Sequence, residues 1–325
     1  MKTEILTMLK QADGYVSGQE ICDHFGVSRT AVWKVMNSLK EEGYEIESVP
    51  KRGYRLMNQP DVLSKNEIES RIHTQWAGRQ VYYFDETDST NNDVRKLMAE
   101  GAGCGILAVA DKQTAGKGRR GRTWISPAGA NIFMSIGLKP ELSPDKASML
   151  TLVMALAICD TIHEVTGLDS RIKWPNDIVV NGKKVCGMLT EMEAELDCIH
   201  SVVIGIGINV NQQEIPEEIR ETATSLFLES GEKIIRAHII EKAMEYFEDY
   251  YAQFMEKGDL SLLKEAYNAR LVNMDAGVRV LDPRGEYEGI AKGINTEGEL
   301  LVERDGETVR VYAGEVSVRG VYGYV

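Results

Sequence analysis

Apolar positions in the first sixty residues recur at helical spacing and then alternate. Ile5, Met8 and Leu9 share one face of a helix expected over Thr3–Ala12. Ser17-Gly18-Gln19-Glu20 is a capping box that opens a short second helix through Phe25, and Gly26-Val27 makes a tight turn. Ser28 caps a third helix to about Glu42, with Val32, Val35, Met36 and Leu39 at core spacing and Gly43 as its stop. Two short strands follow, Tyr44–Ser48 and Gly53–Leu56, joined by Val49-Pro50-Lys51-Arg52. This order predicts a winged helix-turn-helix. Arg29, Thr30, Trp33, Lys34 and Asn37 fall on the third helix opposite its core face, as a recognition helix presents itself to a major groove. Lys51 and Arg52 at the wing tip suit phosphates. A small helical protein-interaction domain would show the same apolar pattern, and Trp33 fits a packing role as well as a DNA contact.

Beyond a linker at Gln59-Pro60-Asp61, the period switches repeatedly between helix and strand. A helix is expected over Lys65–Thr74 and a strand over Val81–Phe84. Asp88-Ser89-Thr90-Asn91 opens a helix through Glu100, with Gly101 as its stop; simple N-capping accounts for these short polar residues. Ile106–Ala110 and Asn131–Leu138 read as buried strands, and residues 145–166 as a long helix ended by Gly167. Arg171–Trp174 leads into the polar turn Trp174-Pro175-Asn176-Asp177. A hairpin of Ile178–Val180 and Lys184–Met192 then folds about Asn181-Gly182, a type I′ turn signal. Ser201–Val210 is an apolar strand carrying Gly205 and Gly207, and glycine inside a strand often marks close approach of a ligand or of backbone. Helices are expected over 234–257 and 259–270. From Val272 only short strands remain, at Val278–Leu281, Tyr287–Asn295, Glu299–Arg304, Thr308–Tyr312 and Val316–Arg319, the pattern of a small separate β-barrel. The expected organisation is multidomain α+β, with domains at 1–60, 61–270 and 271–325.

The strongest chemical signal is Gln113–Trp124, in which Gly116, Gly118 and Gly121 alternate with Lys117, Arg119, Arg120 and Arg122. Glycines permit positive φ and close backbone approach, and the cations suit closure over an anion. The stretch matches the spacing of a dinucleotide fingerprint and is one residue from a P-loop, with Arg122 where lysine belongs. Both motifs need a helix to start at the loop. Ser126-Pro127-Ala128-Gly129 and a strand follow instead, so both are rejected.

Composition narrows the setting. The 325 residues suffice for about two or three domains. No signal peptide is apparent, and even the most apolar helix candidate, Ala147–Val165, is interrupted by Asp160, His163 and Glu164, so no membrane association is expected. The five cysteines, Cys22, Cys104, Cys159, Cys186 and Cys198, are scattered without C-x-x-C spacing. A cytoplasmic chain without structural metal is the default. The net charge of −13 argues against a general polyanion binder. Residues 1–60 carry eight basic and eight acidic residues, so the acidic excess belongs to the rest of the chain.

Asp88-Ser89-Thr90-Asn91, Gly-Lys-Gly-Arg-Arg-Gly-Arg at 116–122, Lys173-Trp174-Pro175-Asn176-Asp177, Lys183-Lys184-Val185-Cys186-Gly187 and Gly205-Ile206-Gly207-Ile208-Asn209 occur in that order behind a winged helix. In this the chain resembles the bifunctional biotin–protein ligase and biotin operon repressor family over essentially its whole length. Lys117 departs from the pattern, since many members carry arginine there, and lysine lacks the planar fork. The resemblance implies a central domain like that of class II aminoacyl-tRNA synthetases and an SH3-like C-terminal barrel. It implies formation of biotinyl-5′-AMP from biotin and ATP, with Mg²⁺ accompanying ATP. Transfer to a lysine of the biotin carboxyl carrier protein of acetyl-CoA carboxylase follows. It also implies biotin-responsive repression through operator DNA and a homodimer favoured by biotinyl-5′-AMP.

Carried over by position, Ser89, Thr90, Asn91, Gln113, Gly116, Lys117, Gly118, Arg119, Lys184, Gly205 and Gly207 should surround biotin, with Arg119 and Lys184 catalytic. Arg122, Trp124, Asn131, Asn176, Asp177 and Asn209 should surround ATP or the adenylate, Asp177 being either structural or a holder of Mg²⁺ through water. A lipoate–protein ligase and a ligand-sensing repressor without turnover are the competing classes; the cationic glycine-rich loop speaks against the first, and retention of Arg119 and Lys184 against the second.

Overall fold

The structure, a computed structural model, describes residues 1–195, 198–282, 285–313, 317–320 and 324–325. Residues 1–73 with 235–241 form one compact unit, and 74–234 with 242–325 a second. The first unit opens with α1 (Lys2–Gln11), α2 (Gly18–Phe25) and α3 (Arg29–Glu41), followed by the antiparallel ribbon β1 (Glu45–Val49) and β2 (Gly53–Asn58). Ser17 and Ser28 cap α2 and α3, their hydroxyls accepting from Glu20 N at 3.0 Å and Ala31 N at 3.2 Å. Ile5, Leu6, Leu9, Ile21, Val32, Met36 and Leu39 are buried together. Trp33 is 56% exposed, so it is not a packing residue, and Arg29, Thr30, Lys34, Lys51 and Arg52 are exposed as well. The chain then enters α4, which spans only Lys65–Glu69 rather than continuing to Thr74. The Ser70 hydroxyl donates to the Glu67 carbonyl at 2.7 Å, a local bond that competes with further helical pairing.

In the second unit, β3 (Val81–Thr87), α5 (Thr90–Ala99), β4 (Ile106–Gln113), β5 (Ile132–Leu138), α6 (Met149–Thr166), β6 (Ser170–Lys173), β7 (Asp177–Val180), β8 (Lys183–Ala194) and β9 (Ile199–Ile208) follow in turn. Their strands make one sheet of order β3-β4-β5-β9-β8-β7-β6, parallel only between β3 and β4. The β7–β8 hairpin turns on Asn181 and Gly182, both at positive φ as a type I′ turn requires. A register shift lies between Ile178 and Val179: Cys186 pairs with Ile178 and Lys184 with Val179, leaving Val185 as an extra residue. Helix α6 begins at Met149 after a short 3₁₀ turn at Pro144–Lys146 and ends at Gly167 in the left-handed region. Contrary to the sequence expectation, residues 144–166 are long and apolar enough to cross a membrane by length and hydropathy; 67% of the most apolar window is buried inside the protein, as in a core helix.

Next come α7 (Leu226–Ser230), which was not expected, α8 (Arg236–Lys257) and α9 (Lys264–Arg270). Helix α9 starts later than the sequence suggests, because Asp259 Oδ1 accepts from Ser261 N at 2.8 Å and turns the chain there. The last strands, β10 (Gly277–Leu281), β11 (Tyr287–Ile294), β12 (Leu300–Arg304), β13 (Glu307–Val311) and β14 (Ser317–Gly320), form an antiparallel sheet of order β13-β12-β11-β10-β14. No ladder closes it into a barrel among the described residues. Val316, expected to open the final strand, lies outside them.

One buried acid holds the first unit together. Glu67, fully buried, receives Lys10 Nζ at 2.7 Å, Arg71 Nε at 2.6 Å and the Tyr44 hydroxyl. Burial pulls the Lys10 ammonium down to about 8, with Glu67 opposing that shift. Glu67→Ala would leave Lys10 buried without its counter-charge and should cost about 3–5 kcal/mol. Urea denaturation of the purified chain checks this; a loss below about 1 kcal/mol would mean that the surroundings relax around the gap.

Candidate functional site

The site is built on one face of the large sheet. Side chains alternate along a strand, and the register aligns Ser135, Gly205 and Leu189 in one row and Phe133, Gly207 and Gly187 in the next. Four of these six positions are thus small. A Cβ on Gly205 would lie 2.1 Å from Asn91 Oδ1, and one on Gly207 2.6 Å from the Trp124 indole. Absence of those atoms lets the start of α5 and the cationic loop approach the strands.

Ser89 occupies the N-cap of α5, but its hydroxyl makes no capping bond, so capping does not account for it. Thr90 N donates to Gln113 Oε1 at 2.9 Å, and Thr90 Oγ1 lies 2.7 Å from Ser135 Oγ. Ser135 Oγ donates to Asn91 Oδ1 at 2.6 Å, while Asn91 Nδ2 donates to Glu191 Oε2 at 2.6 Å. Ser89, Thr90, Asn91 and Gln113 therefore converge with Lys117, Gly118, Arg119, Trp124, Lys184, Gly205 and Gly207 around a cavity of about 50 Å³. Lys117 reaches outward to Asn92 Oδ1 at 2.7 Å.

The loop forms a turn, not a helix. Gly116 O accepts from Trp124 N at 2.9 Å and Gly118 N donates to Arg122 O at 2.7 Å, which fastens its base. Arg120 lies at φ 60° within a three-residue 3₁₀ turn, and an extended segment leads on to β5. Gly116 is buried under Trp124 and Ser126 and shapes the loop rather than lining the cavity. Trp124 lies over Gly187 and Gly207, with Lys184 Nζ 5.1 Å from its ring centroid. Its indole N–H is buried and has no hydrogen-bond partner among the described residues.

A second cavity of about 260 Å³ adjoins the first, and Gly118, Arg119, Trp124, Asn176 and Lys184 line both. Arg122, Asp177 and Asn209 line only the larger one. Asp177 is its lone acidic lining residue among those described. Its Oδ1 pairs with Lys184 Nζ at 2.7 Å and accepts from Asn176 Nδ2 at 3.1 Å; its Oδ2 accepts from the Tyr324 hydroxyl at 2.6 Å. Burial alone would raise this carboxyl, but Lys184, Lys173 and the hydrogen bonds from Lys184 and Tyr324 outweigh it and hold it below the usual range. Burial takes the Lys173 ammonium down to about 8, against the pull of Asp177. Arg119 donates to Asn176 Oδ1 and to the Ala313 carbonyl, both at 2.6 Å, so the loop is tied to the segment after β13.

Asn131 is the one expected nucleotide contact that the structure takes elsewhere. Fully buried, it accepts from Val210 N at 3.0 Å and donates to Gln212 Oε1 at 2.7 Å, and it lines neither cavity. Sequence reasoning passed over Ser135, Glu191, Lys173 and Tyr324. Ser135 was legible as a lone hydroxyl inside an apolar strand, and Glu191 by sharing strand parity with Gly187. Tyr324 had no local signal, because its partner is 147 residues away.

Two cavities joined at a lysine, with a glycine floor and a cationic loop, suit the class of proteins that bind and activate an anionic ligand. The Cys186 thiol nearby is pushed well up by burial, out of nucleophilic range. A model of the Biotin/lipoate A/B protein ligase family matches residues 83–209, an HTH-domain model matches 2–55, and a model of the biotin protein ligase C-terminal domain matches 277–319. The chain is 41% identical, over 98% of its own length and 98% of the relative's, to a bifunctional ligase/repressor BirA from Bacillus subtilis, and 28% identical, over 93% and 92%, to that of Escherichia coli. A solved biotin protein ligase from Aquifex aeolicus, in complex with biotin and ATP, superposes with a TM-score of 0.67 at 30% identity, covering 74% of this chain and 99% of that one. The chain belongs to the family of bifunctional biotin ligase/repressors.

Gly207→Ala should drive Trp124 off the sheet and destabilise the protein by about 1–3 kcal/mol through overpacking. Trp124 emission, isolated by subtracting the spectrum of a Trp124→Phe reference, should shift to the red. An unshifted spectrum would show that the indole does not rest on this glycine.

Proposed function

We propose that this chain activates biotin with ATP and then biotinylates a lysine of the carboxyl carrier protein of acetyl-CoA carboxylase. We also propose that it represses transcription in response to biotin. The observation that carries the enzymatic half is the position of Lys184 where the small cavity meets the larger one. In the first step a biotin carboxylate oxygen bonds to the α-phosphorus of ATP and the bond to the bridging oxygen breaks, releasing pyrophosphate. Two anions must meet, so the requirement is positioning and cationic stabilisation, not a protein nucleophile. In the second step the carrier lysine attacks the acyl carbon and AMP leaves.

The small cavity suits biotin, with Ser89, Thr90, Asn91 and Gln113 as polar contacts and the glycine floor beneath its rings. Lys184 and Arg119 would face the carboxylate and α-phosphate. Arg122, Trp124, Asn176, Asp177 and Asn209 would take the nucleotide. The described residues contain no cluster of acidic, histidine or cysteine ligands fit for a resident metal. A single carboxylate beside substrate phosphates is the usual protein share of a Mg²⁺ that arrives with its nucleotide, so Mg²⁺ would come as part of the substrate, with Asp177 as the residue that would help hold it through water. Ordering of residues 116–124 over the mixed anhydride would exclude water.

The face of Arg29, Thr30, Trp33, Lys34 and the half-buried Asn37, with Lys51 and Arg52 on the wing, would read operator DNA. A charge-balanced single winged helix should bind weakly, and pairing two on a two-fold site raises affinity through effective concentration. We therefore propose a homodimer favoured by biotinyl-5′-AMP. A carrier protein and operator DNA as partners place the chain in the cytoplasm.

Lys184→Ala should slow pyrophosphate release at saturating biotin and ATP by roughly 10²–10³, the effect of deleting one preorganised charge. A change smaller than about threefold would remove Lys184 from the chemistry. For the regulatory half, biotin plus ATP should tighten binding to a palindromic operator in fluorescence anisotropy, and apo carrier protein should reverse it. Operator affinity indifferent to both would mean a ligase joined to an uncoupled DNA-binding domain.

A further inference from the structure

The nucleotide-side cavity contains an aromatic residue that none of the ligand-facing motifs supplies. Tyr324, beyond β14, puts its hydroxyl 2.6 Å from Asp177 Oδ2 and its ring 4.3 Å from Lys173 Nζ. It thereby touches both a buried anion and a buried cation of the same site. The two oxygens of Asp177 are unequally served: Oδ1 takes Lys184 Nζ and Asn176 Nδ2, whereas the Tyr324 hydroxyl serves Oδ2.

A carboxylate held at one oxygen can swing about its Cβ–Cγ bond, while one held at both cannot. Whatever fixes Asp177 also fixes Lys184, whose ammonium lies on Oδ1 and under the Trp124 ring. The Lys184 chain packs directly against Gly187, where a Cβ would lie 2.8 Å from its Nζ, so its reach toward the small cavity depends on this anchorage. The ring of Tyr324 screens Lys173 at cation–π distance, which leaves Lys184 as the ammonium that pairs with Asp177.

We infer that Tyr324 is a positioning residue for the adenylation step, acting through Asp177 to hold Lys184 at the junction of the two cavities. This rests on the ligase reading above. Tyr324 need not touch the reacting atoms. Its effect belongs to formation of biotinyl-5′-AMP, where Lys184 must meet the developing charge, and not to transfer, where the acyl phosphate is already made.

The experiment compares the full-length native chain, Tyr324→Phe, Asp177→Asn and the double variant in both half-reactions. Tyr324→Phe keeps the ring over Lys173 and removes only the hydroxyl. It should lower kcat for pyrophosphate release roughly tenfold, as expected for a lost hydrogen bond to a charged group, with KM for biotin and ATP within about twofold. Transfer from supplied biotinyl-5′-AMP to the carrier should keep its native rate. In the Asp177→Asn background the same change should cost nothing further, since coupled residues are non-additive. An adenylation rate within about twofold of native, a faster one, an equal slowing of both half-reactions, or a penalty that persists in the Asp177→Asn background would each overturn the inference. A native chain that makes no biotinyl-5′-AMP would instead overturn the ligase reading itself.

Discussion

Close approach to a sheet surface without side chains is the constraint on which the site depends. At Gly205 the amide of Asn91 fills the place of a side chain, and at Gly187 and Gly207 the Trp124 ring does. A methyl group at any of the three would meet another atom below 3 Å. The start of α5, the cationic loop and the central strands can therefore share one small volume only while these positions stay bare. The polar relay from Gln113 through Thr90 and Ser135 to Asn91 and Glu191 is satisfied at each of these joins, as buried polar groups must be.

The second organising feature is an imbalance of charge. Around the single carboxylate of Asp177 stand Lys184 in contact and Lys173 and Arg119 close by, with Arg319 near Lys173. Burial disfavours the charged forms of Lys173 and Arg119, and one anion does not neutralise the group. A polyanionic ligand would relieve that cost, so the excess of positive charge is itself a form of selectivity for phosphates. The first unit shows the opposite arrangement, with Glu67 and Glu241 meeting Lys10 and Arg71 inside one network.

Much of this was legible in the sequence. The caps Ser17 and Ser28, the core face of α3, the Asn181-Gly182 turn and the strand glycines all act locally, and local signals survive in a linear string. Motif order gathered most of the cavity residues as well. The failures have a common physical form. Helix α4 was overextended because Ser70 bonds back to Glu67, and α9 because Asp259 turns the chain. Asn131, carried over by position as a nucleotide contact, instead spends its amide on Val210 and Gln212. Tyr324 enters through a contact 147 residues away along the chain, which no short window contains.

The extra residue at Val185 has a consequence for how the site is encoded. In an unbroken strand Lys184 and Gly187, three apart, would point to opposite faces of the sheet. The bulge restores parity, so that Lys184 faces the same side as Asp177 and Gly187. The spacing of Lys184 from Gly187 is thus a count that only makes sense with the bulge in place. Straightening the bulge without removing a residue would keep every functional side chain in the sequence and turn the lysine to the other side of the wall. In this stretch the chain carries its chemistry in an interval as much as in its letters.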